Sequence, residues 1–321
     1  MFEAFVRVMA SAIDERSPAT RGHIERVTAL TMALAEAVNA CDEPPFAHVR
    51  FSDDELNELR IAALVHDVGK VTTPLHIIEK RTKLEGVRDG IDVIRERFAT
   101  IKEAKRNEFL RRRLELLQRG AAPGDGAALD EEEAAALAEL GQQRYFVVAC
   151  NQPAEFMPDD HVQRLKEIAS RTYVADGVEK PYLTEDELAL LCIQRGNISG
   201  EELRIMRDHV SVTMRLLDQI PFPNKLKGVP RYAGGHHEKL NGKGYPLGLT
   251  ADDLPLQTRM LAIADVYEAL TADDRSYKRP RTHDEAVRIL RFMVQDGELD
   301  GDLVELFVRS GAWKAGNNPQ L

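Results

Sequence analysis

The residues in this sequence with the means to do chemistry are few and come in pairs. His66 is followed at once by Asp67, and far downstream stand the adjacent His236 and His237, then Asp265. Imidazoles and carboxylates in that mixture suit a pair of borderline divalent cations. Such a pair can activate water and supply positive charge to an anionic substrate. The words around them are VHDVGK (65–70), GGHHEKLNGKGYP (234–246) and ADVYEALTADDRSYK (264–278). Any one histidine is more often a hydrogen-bonded core or surface residue than a ligand. The grouping, in this order, is what separates these from the rest.

Helical signals surround them. Leu56, Leu59, Ala63 and Leu64 form an apolar stripe leading to His66, and Leu203, Met206 and Val210 form another beside His209. Ser52 with Glu55, Thr184 with Glu187, Ser199 with Glu202 and Thr282 with Glu285 have capping-box spacing ahead of periodic apolar runs. Gly69 is expected to end the helix before it, so that His66 and Asp67 face one centre. His236 and His237 follow the Gly234-Gly235 pair, and Asp265 falls in a helix expected over 258–270. Strand signals are confined to 143–149 and 171–175, so the fold class is all-α.

With 321 residues, 43% hydrophobic and 30% charged, the chain has material for one large domain or a domain with a sizeable insertion. A net charge of -10 argues against binding nucleic acid polymers or anionic membranes, and leaves an anionic substrate to be met by local positive charge. Cys41, Cys150 and Cys192 show no metal-type spacing and read as reduced thiols of a cytoplasmic protein. The most apolar window, 27–41, is interrupted by Glu36 and too short to span a bilayer; the N-terminus reads as an amphipathic helix, not a signal peptide. No sensor domain is expected ahead of residue 1, so regulation is expected to enter elsewhere.

Together the three words resemble the HD-GYP phosphodiesterases, the branch of the HD metal-dependent phosphohydrolases that hydrolyse cyclic di-GMP. The resemblance implies an HD-domain helical bundle extended by the GYP region. It covers a discontinuous catalytic domain at 1–80 and 191–311, interrupted by a mostly helical insertion at 81–190 and followed by a tail at 312–321. The insertion opens with a charged helical pattern over 87–119, with Ile91, Ile94, Phe98, Ile101, Phe109, Leu114 and Leu117 on one recurrent face. A flexible loop at 121–128, an acidic helix over 130–140 and a helix over 161–169 are expected to follow. The insertion is expected to serve dimerisation or regulation.

By this resemblance Asp67 bridges two metals. His23, found in TRGHIERV (20–27), completes one site with His66 and Asp265, and His209, His236 and His237 complete the other. The implied cofactors are two divalent ions, Fe or Mn foremost, with Zn, Co and Ni also suited to these ligands. Members that hold a third metal use a glutamate four residues before the first histidine; here that position is Ala19, which cannot serve. Asp67 and Lys70 take the catalytic roles, Lys70 stabilising developing negative charge. Tyr245, Arg275 and Lys278 take the substrate-binding roles. His48, His76, His161 and His283 match nothing in the pattern and are read as surface or structural residues.

The implied activity is hydrolysis of cyclic di-GMP to pGpG, and onward to GMP, by a hydroxide bridging the metals. Implied protein partners are diguanylate cyclases or effectors docking through the GYP loop or the insertion. Three departures bear on the substrate rather than the metals: Asn241 for the usual aspartate, one extra residue before Arg275, and Ser276 for a proline. Two alternatives stand beside this reading. One is an HD phosphohydrolase acting on another cyclic dinucleotide or nucleotide; the other is a signalling or adaptor protein with little turnover.

Overall fold

Helix-starting signals in the sequence become helix starts in the structure, a computed structural model that describes residues 2–17, 22–120, 125–273 and 280–317. The chain opens with α1 (Phe2–Asp14), α2 (His23–Ala40) and α3 (Asp53–Val65), then a 3₁₀ turn (Val68–Thr72) and the short α4 (Leu75–Ile78). Next come α5 (Ile91–Gln118), α6 (Asp125–Cys150), α7 (Asp159–Ala169), the strands β1 (Thr172–Ala175) and β2 (Val178–Pro181), and α8 (Glu185–Leu191). The last stretch holds α9 (Gly200–Leu217), α10 (Val229–Gly234), α11 (Leu256–Thr271), α12 (His283–Gln295) and α13 (Gly301–Ser310). Capping boxes at Ser52, Thr184 and Thr282 open α3, α8 and α12, each hydroxyl accepting from the backbone N–H three residues on. No helix among the described residues is long and apolar enough to cross a membrane.

These elements form two compact units: Met1–Glu79 with Glu201–Leu321, and Lys80–Gly200. In the first, α2 lays Val27, Leu30, Leu34 and Val38 against Met260, Leu261 and Ile263 of α11 and Leu303, Val304 and Phe307 of α13. A second cluster joins Val6 of α1, Ile24 of α2 and Ile61, Leu64 and Val65 of α3 to Val229 and Ala233 of α10. Helix α3 belongs to both, because its Leu59 and Ala63 enter the first cluster. A fully buried leucine or isoleucine contributes about 1.5–3 kcal/mol. Gripped on both faces, the end of α3 is fixed where His66 and Asp67 follow.

The second unit is a long hairpin of α5 and α6 with smaller elements along it. Ile91, Ile94, Phe98 and Ile101 of α5 pack with Leu140, Phe146 and Val147 of α6 and with Leu165 and Ile168 of α7. Residues 143–149, expected as a strand, are the end of α6: Gln143, Phe146, Val147 and Cys150 are buried at a helical spacing that outweighs the β-rich composition. Residues 125–128, expected as loop, are its first turn, while 121–124 lie outside the described residues. The expected strand at 171–175 does form, as β1, and pairs antiparallel with β2. The turn between them, Asp176-Gly177, has positive φ at both residues, as a two-residue hairpin requires.

Two further expectations are corrected. Leu114 and Leu117 do not share the buried face of α5; they are 58% and 68% exposed. Of the tail expected at 312–321, the described part is a 3₁₀ helix, Ala312–Asn317, with Ala312 buried and Trp313 packed on the core, while 318–321 lie outside the described residues.

Candidate metal centre

One close approach of backbone on backbone assembles the centre. Gly69 sits in the 3₁₀ turn after His66 and Asp67, and a Cβ there would lie 1.9 Å from the carbonyl oxygen of His209 and 2.6 Å from the amide of Thr213. Only glycine allows that contact. The Gly69 N–H donates to the Thr213 hydroxyl at 2.9 Å, and the same hydroxyl donates to the His66 carbonyl at 3.1 Å. The sequence suggested that Gly69 ends a helix; its observed role is to let α9 press against the turn and carry His209 to His66. His23 is the first residue of α2, His236 and His237 follow α10, and Asp265 lies on α11.

Asp67 is the hub. Its Oδ2 lies 3.3 Å from Nε2 of both His23 and His66. Its Oδ1 lies 3.2 Å from Nε2 of His209 and 3.9 Å from Nε2 of His236. Asp265 approaches His23 at 3.4 Å, His66 at 3.9 Å and His237 at 4.0 Å. Two groups of candidate ligand atoms result, His23-His66-Asp67 and His209-His236-His237, each with its atoms within 4.8 Å of one another. Two ligands each about 2.1 Å from a common ion stand about 3.0–3.4 Å apart, the spacing found around Asp67.

The hydrogen bonds say which nitrogen faces the centre. Nδ1 of His66, His209 and His236 donates to the carbonyls of Ala63, Met206 and Ala233 at 2.6–2.7 Å. That fixes the tautomer and leaves each Nε2 a bare acceptor. Nε2 of His23, His66, His209 and His236, with Oδ1 of Asp67, are buried and make no hydrogen bond. Such atoms are rare in native structures and call for an explanation. Five of them turned to one point, with carboxylate and imidazole chemistry, fit a divalent cation or a pair of them.

Electrostatics agree. Burial opposes charge on His23, but Glu268, Asp265 and Asp67 overrule it and raise its affinity for positive charge well above that of an ordinary histidine, a pull that a cation at Nε2 would satisfy in place of a proton. Burial likewise opposes ionisation of Asp67, yet Lys70 and His66, with His209 and His23, keep the carboxyl well below the usual range. Desolvation pushes His236 down, and His237 down to about 4, so both rings stay neutral as ligands must. Three carboxylates at one buried point demand positive charge there.

The expected catalytic and substrate residues fall as follows. The Lys70 ammonium bonds directly to Oδ2 of Asp67. Tyr245 stacks on His237, ring centres 4.8 Å apart, and the Arg207 guanidinium lies 5.1 Å from the centre of the Tyr245 ring. Arg275 and Lys278 lie outside the described residues.

Several contributors were missed by sequence reasoning. Glu268, three residues after Asp265 on an otherwise apolar stretch of α11, accepts from Nδ1 of His23 and is held by Arg26. A lone glutamate on a buried face was the available signal. Glu238 anchors the GYP loop by accepting from the N–H groups of Leu247 and Leu249 at 2.7 and 2.9 Å. Asn241 donates to the Asp296 carbonyl at 2.8 Å, a bond an aspartate could not make.

Comparison with known proteins adds the following. Family models described as "HD domain" match residues 20–139 and 185–303. Residues from both matched stretches meet at Asp67, so the two matches contribute to one centre. A Vibrio cholerae protein named "Probable cyclic di-GMP phosphodiesterase" is 39% identical over 108 residues, 31% of this chain and 24% of its own length. A Vibrio cholerae "3'3'-cGAMP-specific phosphodiesterase 2" is 41% identical over 115 residues, covering 35% and 21%. A Thermotoga maritima "Cyclic di-GMP phosphodiesterase" is 27% identical over 163 residues, covering 46% and 43%. The chain spans less than half the length of each of these relatives.

Proposed function

We propose that this chain belongs to the HD-domain family and is a metal-dependent phosphodiesterase of cyclic dinucleotides, cyclic di-GMP first among them. The observation that carries the reading is the set of five buried, unbonded ligand atoms around Asp67. His23, His66 and Asp265 would hold one ion, His209, His236 and His237 the other, with Asp67 shared. Fe or Mn suits this oxygen- and imidazole-rich set, and Ala19 favours two ions over three. Bound there, the ions would supply an activated water and Lewis-acid stabilisation of the phosphate.

The chain's own side chains set up the rest. Lys70 holds its ammonium against the shared carboxylate, where it can steady negative charge on a phosphate oxygen. Glu268 orients the His23 ring, and the carbonyl acceptors orient those of His66, His209 and His236. Glu238 braces the loop that carries Tyr245 over His237. We assign Arg275 and Lys278 to the substrate's phosphates or guanine, and cyclase or effector proteins as partners at the GYP loop or insertion. The three cysteines are free, in keeping with a cytoplasmic setting.

A second reading, 3'3'-cGAMP as the substrate, is favoured by the named activity of one relative. Anaerobic reconstitution with Fe(II) or Mn(II), incubation with each dinucleotide and chromatography of the products test both. pGpG or GMP from cyclic di-GMP supports the leading reading, and faster cleavage of cGAMP the second. Both substrates intact, with the metal sites filled, would move the assignment to another phosphoester or to a signalling role.

A further inference from the structure

Helix α5 carries two apolar faces, and its own chain buries one of them. Ile91, Ile94, Phe98, Ile101 and Phe109 are buried along one side. Leu110, Leu114 and Leu117 lie about 110–170° around the helix from the centre of that side, at 100° per residue. They are 49%, 58% and 68% exposed. Spacing of four then three residues is that of a helix-pairing seam. The charges around the seam divide in two. Arg106 pairs with Glu103, and Arg112 and Arg113 pair with Glu132, Asp130 and Glu133 of α6. Arg111 and Glu115, on one flank of the leucines, join no ion pair among the described residues.

We propose that this face is a homodimer interface in which two copies pair α5 antiparallel across a two-fold axis at Leu114. Leu110 then meets Leu117 of the other copy, and Leu114 meets itself. Arg111 meets Glu115 of the other copy, twice, so the flank is self-complementary. A parallel pairing would instead set Arg111 against Arg106 of the other copy, like charge on like. The self-matching flank is what selects a second copy of this chain over an unrelated partner. Three leucines per copy make a narrow seam, at the small end of the interface range below about 1,200 Å². The dimer therefore exchanges with monomer and grows with concentration. None of this depends on the phosphodiesterase reading.

Sedimentation velocity of the full chain over a concentration series tests the proposal. A concentration-dependent dimer is expected, lost in Leu114→Asp with the helical circular dichroism retained, since Leu114 touches no core. Arg111→Glu and Glu115→Arg singly should each raise the dissociation constant by about tenfold, as like charges replace two rim pairs. The double swap R111E/E115R should restore the dimer. A monomer at every concentration overturns the proposal, as does a dimer that survives Leu114→Asp. A double swap no tighter than either single variant overturns the antiparallel register.

Discussion

The two units treat their buried polar groups in opposite ways. In Lys80–Gly200 such groups are answered by protein. Lys83, fully enclosed, donates to the Leu191 carbonyl at 2.9 Å, and burial holds its ammonium below the ordinary lysine range. Asn151 accepts from the Leu84 amide and donates to Asp89, and Arg97 grips Glu187 through both guanidinium nitrogens. Around Asp67, by contrast, five buried atoms make no hydrogen bond. Leaving a buried donor or acceptor unmet costs about 1–3 kcal/mol. Among the described residues of the second unit there is no such atom. Its polar interior serves the fold, whereas the centre's interior is arranged for a cation and is held in place by apolar packing on either side.

The sharpest way to break this comparison is Asp67→Ala. It should remove metal and turnover together, a loss well beyond the roughly 10–100-fold expected for an outer hydrogen-bond partner. Circular dichroism should change little, because α3 is held by Leu59, Ile61 and Leu64. Retained turnover would sink the assigned centre. Next in size is Glu268→Gln, which leaves every ligand in place but weakens the hold on His23. Metal titration should show an affinity about 10–100-fold lower, with turnover at saturating metal nearly unchanged.

In the other unit, Arg97→Ala should lower stability to urea by about 2 kcal/mol, the scale of hydrogen bonds to a charged group. The metal-to-protein ratio should not move; a fall would mean the units are not distinct in the way described. The smallest effect is one of pH. Burial opposes ionisation of Glu187, but bonds from Arg97 and the Thr184 amide outweigh it and hold its carboxyl below the usual range. Its contribution is therefore complete above the unfolded carboxyl pKa and is lost as pH falls through the folded value. Urea midpoints against pH should drop on that acid limb in the parent chain, and less steeply in Arg97→Ala.

Local signals in the sequence were the most legible. Ser52, Thr184 and Thr282 open helices as their spacing says, because a capping box is satisfied within four residues. The convergence of His66 with His209 was available only through resemblance, since the contact joins segments more than a hundred residues apart and rests on the missing side chain of Gly69. Residues 143–149 were misread because β-branched and aromatic composition masked a helical spacing. Leu114 and Leu117 were grouped on one recurrent face with Ile91 to Phe109 because apolar type alone does not say which side of α5 meets α6. Glu268 and Glu238 were passed over because carboxylates that brace other groups carry no spacing of their own.

The most direct test of the central claim is the metal content of anaerobically reconstituted protein beside that of Asp67→Asn, measured by elemental analysis. Two ions per chain in the parent, with loss from both sites in the variant, is the predicted result, because both groups lean on the one carboxylate. A parent that holds no ion, or a variant that holds as many as the parent, would contradict a shared centre at Asp67; a ratio near three would overturn the argument from Ala19.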